Sequence, residues 1–111
     1  MNHLTRRALY FDFYGSLLTA KQREIYDLYY QQDFSLGEIS EIRGVSRQAI
    51  FDLLRRTEEA LNYYESKLQL VQKYQLSRNI ITEIRQKIDC LRAKEDLEQV
   101  VMLLQKLEDS W

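Results

Sequence analysis

The chain has 111 residues and a formal net charge of −1, which suits one compact domain or two small helical units. Hydrophobic residues make up 45% and charged residues 30%, fractions that fit a folded globular protein and exclude an extensively disordered one. No segment reaches the roughly 18 apolar residues of a membrane span, and no basic and apolar leader begins the chain. We therefore expect a cytoplasmic protein without membrane insertion.

The composition and the first segments predict an all-α fold. The sequence has no proline and three glycines, so few residues interrupt a helix. Residues 4–14 predict an aromatic-rich helix that ends near Gly15. Residues 19–22 (Thr-Ala-Lys-Gln) form a capping box, in which Thr19 and the glutamine three residues later satisfy free backbone groups at a helix start. We expect this second helix to run to about Gln32.

The next two helices form a helix-turn-helix pattern. A second capping box over residues 35–38 opens a short helix that carries Ile39 and Ile42 on one face. Gly44 ends this helix, because glycine tolerates the left-handed backbone that tight turns between helices often need. Ser46 then caps a following helix. This spacing is typical of helix-turn-helix proteins, in which the second helix enters the major groove of DNA.

The second helix of the pattern, which starts at residue 47, has an apolar and a polar side. Residues spaced 100° apart place Ala49, Ile50 and Leu53 on the apolar side, with Leu54 and Thr57 at its margin. The polar side and the cap in front of it supply the candidate DNA-binding residues, which we call the recognition set. Its members are Ser46, Arg47, Gln48, Phe51, Asp52, Arg55 and Arg56.

The side chains of the recognition set suit both base edges and phosphates. Arginine can bind guanine through two hydrogen bonds, and Gln48 can bind adenine in the same way. Phe51 can contact a thymine methyl group, and Asp52 can accept from cytosine or pair with an arginine along the helix. Arg47 and Arg56 can hold phosphates, which a helix N-terminus at Ser46 also favours. The alternative is that this face is simply a solvated helix surface.

The charge balance limits the DNA affinity that we expect. Residues 18–57 hold six basic and six acidic side chains, and the segment from residue 58 onwards is acid-rich. A strongly basic balance, which by itself would indicate nucleic-acid binding, is absent. Affinity for DNA must therefore come from local placement of charge, and we expect it to be modest and sensitive to salt.

Three segments resemble region 4 of bacterial sigma factors, which reads the −35 promoter element by a helix-turn-helix. They are Leu-Thr-Ala-Lys-Gln-Arg-Glu-Ile (18–25), Ser-Leu-Gly-Glu-Ile-Ser (35–40) and Gly-Val-Ser-Arg-Gln-Ala-Ile (44–50). The resemblance implies groove and phosphate contacts at Ser46, Arg47, Gln48 and Arg55. Nothing in the chain resembles the sigma regions that read the −10 element or bind core polymerase, which argues against a stand-alone promoter-recognition subunit.

The chain as a whole resembles the YlxM-type proteins of the UPF0122 family more closely. The resemblance rests on Tyr-Phe-Asp-Phe-Tyr-Gly-Ser-Leu-Leu-Thr (10–19), Arg-Arg-Thr-Glu (55–58) and Tyr-Tyr-Glu-Ser-Lys (63–67), and it weakens after about Ser77. It implies a DNA-binding regulator with a sigma-region-4-like helical bundle. Because genes of this family tend to lie beside those of the signal recognition particle, it also implies a link to that pathway and its components.

Residues 61–111 follow the helix-turn-helix domain, residues 1–60, as an amphipathic helical extension. Its three apolar stripes are Leu61, Tyr64, Leu68 and Val71; then Ile80, Ile81, Ile84, Ile88 and Leu91; then Leu97, Val100, Val101, Leu104 and Leu107. Ser77 is placed to cap the second of these helices. A short helix cannot bury such a stripe alone, so the stripes pack within one chain or between two. We expect a homodimer that presents two recognition helices to two half-sites, with a monomeric bundle as the alternative.

The tyrosines are expected in the core rather than stacked on nucleic-acid bases, because they recur at helical spacings. They are Tyr26, Tyr29, Tyr30, Tyr63, Tyr64 and Tyr74. Cys90 is expected to be a buried or half-buried inert thiol, since a single cysteine forms no internal disulfide and no histidine base is near it. His3, the one histidine, lies at the terminus.

No enzyme is predicted, because the sequence lacks the patterns that catalysis or cofactor binding would need. It has no phosphate-cradling glycine-rich loop and no cluster of histidines and cysteines, so we expect no catalytic residue, cofactor or metal. Two functions stay open at this point. The first is a regulator that binds double-stranded DNA, and the alternative is a protein or RNA adaptor of the signal recognition particle pathway with a vestigial helix-turn-helix.

Overall fold

The computed structural model describes residues 3–91 and 94–110, with side chains from residue 5 onwards, so the side chain of His3 lies outside the described residues. Within these ranges the chain forms six α-helices, a 3-10 turn and no β-strand. The elements are α1 (His3–Tyr14), the 3-10 turn (Gly15–Leu17), α2 (Ala20–Tyr30), α3 (Leu36–Arg43), α4 (Arg47–Leu68), α5 (Leu70–Asp89) and α6 (Lys94–Asp109). The prediction of an all-α fold is confirmed.

The two capping boxes form as the sequence predicts. At the start of α2, Thr19 Oγ1 accepts from the Gln22 backbone N–H at 3.1 Å, and Gln22 Oε1 accepts from the Thr19 N–H at 3.1 Å. At the start of α3, Ser35 Oγ and Glu38 Oε1 make the same reciprocal pair at 3.0 and 3.1 Å. These contacts are local in sequence, which explains why they are readable from residue spacing alone.

The chain divides into two compact units, the first ending at Leu68 and the second beginning at Gln69. In the first unit, α1, α2 and α3 all pack against α4. The boundary that the sequence predicts after residue 60 falls inside α4, which continues without a break to Leu68. Gln69 has a left-handed backbone with φ of 55°, and the next helix starts directly after it.

The buried stripe of α4 differs from the sequence prediction. It consists of Ile50, Leu54, Thr57 and Leu61, whereas Ala49 is exposed and Leu53 is half-buried. Leu54 and Thr57, which the sequence placed at the margin of the apolar side, therefore belong to the buried stripe itself. The reason is that α1 and α2 also pack on α4, so the stripe faces all three neighbours rather than α3 alone. Thr57 is buried without cost to its hydroxyl, which donates to the Leu53 carbonyl at 2.7 Å.

Aromatic rings fill the space between the helices of the first unit. Tyr14 is fully buried and its hydroxyl donates to Glu65 Oε1 at 2.5 Å. Tyr26 is 1% exposed, stacks on Phe11 with ring centroids 5.1 Å apart, and lies 4.5 Å from the Tyr30 ring. Burial, and then the charge of the nearby Glu58, raise the pKa of the Tyr26 hydroxyl.

The tyrosines that the sequence assigned to the core differ in burial. Tyr26 is buried, and Tyr29, Tyr30 and Tyr64 are half-buried. Tyr63 and Tyr74 are exposed, at 59% and 36%, so the prediction was wrong for these two. Helical spacing alone did not separate buried rings from exposed ones, because the helices that pack on α4 and on α5 decide which side of each is covered.

In the second unit, α5 and α6 pack against each other. Ile80, Ile84 and Val100 form the core, and Leu103 and Leu107 pack against it. Ser77 is not a helix cap, because α5 begins seven residues earlier at Leu70 and Ser77 is buried within it. The predicted stripes are only partly buried: Ile88, Leu91, Leu97, Val101 and Leu104 are all exposed. Cys90, predicted to be buried or half-buried, is also exposed.

Candidate nucleic-acid interface

The turn between α3 and α4 is built from local backbone contacts. Gly44 has a φ of 67° and caps α3, and its N–H donates to the Ser40 carbonyl. The N–H of Val45 reaches the same carbonyl at 3.1 Å. Ser46 Oγ then accepts from the Ala49 N–H at 3.1 Å, which satisfies a free donor in the first turn of α4. The prediction that Gly44 ends α3 and the prediction that Ser46 caps α4 are confirmed.

The two helices of the pattern pack against each other, and each of them buries one isoleucine. Ile39 on α3 is fully buried and Ile50 on α4 is 1% exposed. Ile42, which the sequence placed beside Ile39, is 57% exposed and so is not part of this contact. Successive residues in a helix turn by about 100°, so Ile39 and Ile42 differ by about 60°, enough to separate a packed from an exposed position on a short helix.

Gly37 allows a close approach that the sequence did not reveal. A Cβ atom at Gly37 would lie 3.0 Å from Arg47 Nη2 and 3.1 Å from Arg47 Nε. The Arg47 guanidinium therefore lies across the first turn of α3, where any larger residue would displace it. A glycine two residues after a capping serine is the only sequence signal of this contact, and by itself it is weak.

The structure brings the recognition set together on the turn and the N-terminal half of α4. Six of its members are exposed and Asp52 is half-buried: the exposed ones are Ser46, Arg47, Gln48, Phe51, Arg55 and Arg56. By helical spacing, Gln48, Asp52 and Arg55 lie opposite the buried stripe, and Phe51 and Arg56 flank them. The polar side that the sequence assigned to this helix is thus a continuous exposed surface.

A chain of polar contacts links the centre of this surface. Gln48 Nε2 donates to Asp52 Oδ1 at 3.1 Å. Arg55 lies between two carboxylates, with Nη2 3.9 Å from Asp52 Oδ1 and Nη1 3.7 Å from Glu59 Oε1. The two ion pairs of Arg55 are long and their side chains are exposed, so each pair stabilises the helix by only about 0.3–0.5 kcal/mol. The Arg55 guanidinium is therefore pre-oriented but able to leave its partners, and Glu59 is a neighbour that the sequence prediction did not include.

An aromatic edge borders the surface on the side of α2. Phe51 is 50% exposed and lines a small cavity of about 160 Å³. The other lining residues are Tyr29, Tyr30, Leu36, Leu54, Arg55 and Glu58. An exposed phenylalanine on a helix that also presents arginine and glutamine gives the surface an apolar contact point beside its polar ones.

Two further arginines of the first unit are engaged in structural pairs. Arg43 Nη2 lies 2.9 Å from Glu24 Oε2, which joins the end of α3 to α2. Arg7 Nε lies 2.6 Å from Glu58 Oε1, and its guanidinium lies 4.1 Å from the centre of the Tyr30 ring. The positive charge of the candidate interface therefore comes from Arg47, Arg55 and Arg56 rather than from these residues.

Neither a metal site nor a membrane-spanning helix is found in the part of the chain that the structure describes. No group of three or more His, Cys, Asp or Glu side chains there is placed to hold a metal ion. None of the described helices is long and apolar enough to cross a membrane.

A capped short helix, a left-handed glycine turn and a serine-capped second helix define the class: this is a helix-turn-helix protein with an all-α fold. A family profile described as "Putative helix-turn-helix protein, YlxM / p13 like" matches residues 1–106. The chain belongs to this family, UPF0122.

Relatives from several bacteria carry the same family name. A UPF0122 protein of Bacillus thuringiensis (strain Al Hakam) is 47% identical over 105 residues, which cover 94% of this chain and 96% of the relative. A UPF0122 protein of Bacillus velezensis is 44% identical over 104 residues, with 94% of each chain covered. One from Thermoanaerobacter sp. (strain X514) is 42% identical over 99 residues, covering 89% of this chain and 85% of the relative.

Proposed function

We propose that this protein is a non-enzymatic, cytoplasmic regulator that binds double-stranded DNA by placing the N-terminal half of α4 in the major groove. The observation that carries the proposal is the exposed surface formed by the recognition set, directly after a capped helix N-terminus. A helix in this setting can enter the groove while backbone N–H groups at its start face a phosphate.

The positions on α4 divide the contacts into two kinds. Ser46 and Arg47 lie at the N-terminus and Arg56 lies at the flank, where they can hold phosphates and set the orientation. Gln48 and Arg55 lie opposite the buried stripe, where side chains reach base edges, adenine and guanine respectively. Phe51 lies at the α2 edge of the groove surface and can contact a thymine methyl.

The two carboxylates around Arg55 favour selective over general binding. Asp52 and Glu59 repel phosphates, which lowers the affinity for arbitrary DNA. When Arg55 turns to a guanine, it exchanges long contacts of 3.9 and 3.7 Å for two hydrogen bonds to one base. Asp52 is then free to accept from a cytosine amino group. This arrangement supports a reader whose affinity depends strongly on sequence.

The test compares Arg55→Ala with Arg85→Ala in duplex binding. Arg85 is an exposed arginine of α5, so its replacement removes the same charge from the other unit. The duplex is selected from a random pool by the unaltered protein, and helicity is checked by circular dichroism. We expect Arg55→Ala to weaken binding by about tenfold or more, since a two-pronged arginine contact contributes about 1–3 kcal/mol. Arg85→Ala should bind as the unaltered protein does.

Equal binding by both variants, or failure of the unaltered protein to bind any duplex at low salt, would refute the proposal. In that case the alternative function, an adaptor of the signal recognition particle pathway, becomes the better hypothesis. Saturable binding to the RNA of that particle under the same conditions would support it.

We also propose that the second unit joins two chains into a homodimer, which would present two α4 helices to two half-sites. The support is the set of apolar side chains that α5 and α6 leave exposed, including Leu97, Val101 and Leu104 on α6. Exposed apolar side chains at helical spacing favour burial against another helix. The two-fold symmetry of such a dimer would match a palindromic DNA site.

A further inference from the structure

Helix α6 has two distinct apolar faces. The face that packs on α5 consists of Val100, Leu103 and Leu107. The other face consists of Leu97, Val101 and Leu104, which are 51%, 63% and 44% exposed. By helical spacing the second face is turned about 90° from the first, so α5 cannot cover both. We call this second face the α6 seam.

The α6 seam ends in opposite charges. One turn before Leu97 lies Lys94, and one turn after Leu104 lies Glu108, and both side chains are exposed. An open groove runs along the first half of the seam, lined by Lys94, Leu97, Glu98 and Val101. Along the helix the seam therefore reads cation, leucine, valine, leucine, anion.

This order is complementary to itself when a second copy is turned end for end. Lys94 and Glu108 each lie seven residues from Val101, a distance of roughly 10 Å along the axis. A two-fold axis close to Val101 therefore sets Leu97 beside Leu104 of the second copy and Lys94 beside its Glu108. A parallel arrangement would instead bring like charges together at both ends, so the charges select the antiparallel one. Antiparallel helix dipoles favour the same orientation.

We propose that α6 pairs antiparallel with α6 of a second copy of this chain, about an axis near Val101. The inference rests on the homodimer proposed above and specifies its contact. The seam offers three apolar side chains per chain. Stable interfaces use about 20–30 residues and bury about 800 Å² on each side, so the seam is much smaller than these. We therefore expect a dimer that dissociates in the micromolar range without DNA.

The first test compares Val101→Glu with Met102→Glu by sedimentation equilibrium in the absence of DNA. Both positions are exposed apolar residues of α6, at 63% and 71%, but Met102 points away from the seam and from α5. We expect Val101→Glu to be monomeric at concentrations where the unaltered protein and Met102→Glu are dimers. A monomeric unaltered protein, or equal effects of the two substitutions, would overturn the proposal.

The second test exchanges the charges at the ends of the seam. Lys94→Glu and Glu108→Lys should each raise the dimer dissociation constant, by about threefold to tenfold, because like charges then meet. The double variant Lys94→Glu/Glu108→Lys should return it close to that of the unaltered protein. Failure of the double variant to recover would overturn the antiparallel register.

The outcomes separate this inference from the proposed function. The dissociation constant is measured without DNA, so a dimer that binds no duplex refutes the function and leaves the seam intact. A protein that binds duplex through Arg55 but stays dimeric after Val101→Glu refutes the seam and leaves DNA binding intact.

Discussion

At the scale of single residues, two buried tyrosines of the first unit differ in what their hydroxyls contact. Tyr14 Oη donates to the Glu65 carboxylate, which links the end of α1 to α4. Tyr26 Oη has no protein hydrogen-bond partner among the described residues, although its ring is among the best packed in the bundle. Removing the oxygen should therefore lower stability at residue 14 but not at residue 26, because a buried hydroxyl stabilises a fold only when it is bonded.

We expect Tyr14→Phe to lower the free energy of unfolding by about 1.5 kcal/mol, since a hydrogen bond to a charged acceptor is lost. Tyr26→Phe should leave the free energy unchanged or raise it by up to about 1 kcal/mol, because an unbonded polar atom leaves the core. Urea denaturation followed by circular dichroism measures both. A clear loss of stability in Tyr26→Phe would show that its hydroxyl has a partner in solution.

At the scale of secondary-structure elements, the starts and ends of helices depend on contacts within a few residues. Both capping boxes, the left-handed Gly44 and the Ser46 cap follow this rule, and all were predicted from spacing. The start of α5 did not follow it, because Gln69 makes no side-chain cap and Ser77 lies inside the helix. A helix start without a capping side chain leaves no local signal to read.

The turn of the helix-turn-helix gives a prediction at this scale. Gly44→Ala should lower the free energy of unfolding by about 1 kcal/mol, because alanine adopts a φ of 67° only with strain. Crowding is not the cause, since a Cβ atom there meets nothing within 4 Å. Gly15→Ala is the matched control: its Cβ would make ordinary contacts at 3.6 Å with the Phe11 ring.

Thermal and urea unfolding of the two glycine variants measure the difference. If Gly15→Ala proved as destabilising as Gly44→Ala, the backbone conformation of the turn would not be the reason for glycine at residue 44.

At the scale of the whole molecule, positive and negative charges nearly balance, with a net charge of −1. The salt dependence of DNA binding therefore measures how many individual cations contact phosphates. Of the three arginines in the recognition set, Arg47 and Arg56 are the ones proposed to hold phosphates, whereas Arg55 is proposed to contact a base and lies between two carboxylates. Each phosphate neutralised by a protein cation contributes about −0.9 to the slope of log K against log salt concentration.

We therefore expect a slope of roughly −2 for one α4 helix in the groove and about twice that for a dimer on two half-sites. Fluorescence anisotropy at several salt concentrations measures the slope, and Val101→Glu, which should prevent dimerisation, supplies the single-helix value. A slope near −10 would mean that surfaces beyond the recognition set contact phosphates.

The sequence by itself determined the helical class, both capping boxes, the glycine turn and the polar composition of the recognition set. These features follow from side chains that act on their own backbone or recur at a fixed helical period. Only the tertiary structure decided which side of α4 is buried, that Ala49 and Ile42 face outward, and that Arg47 lies over Gly37. It also decided which stripe of α6 meets α5. A helical period shows that a helix has an apolar side, but the neighbours that cover it come from distant parts of the chain.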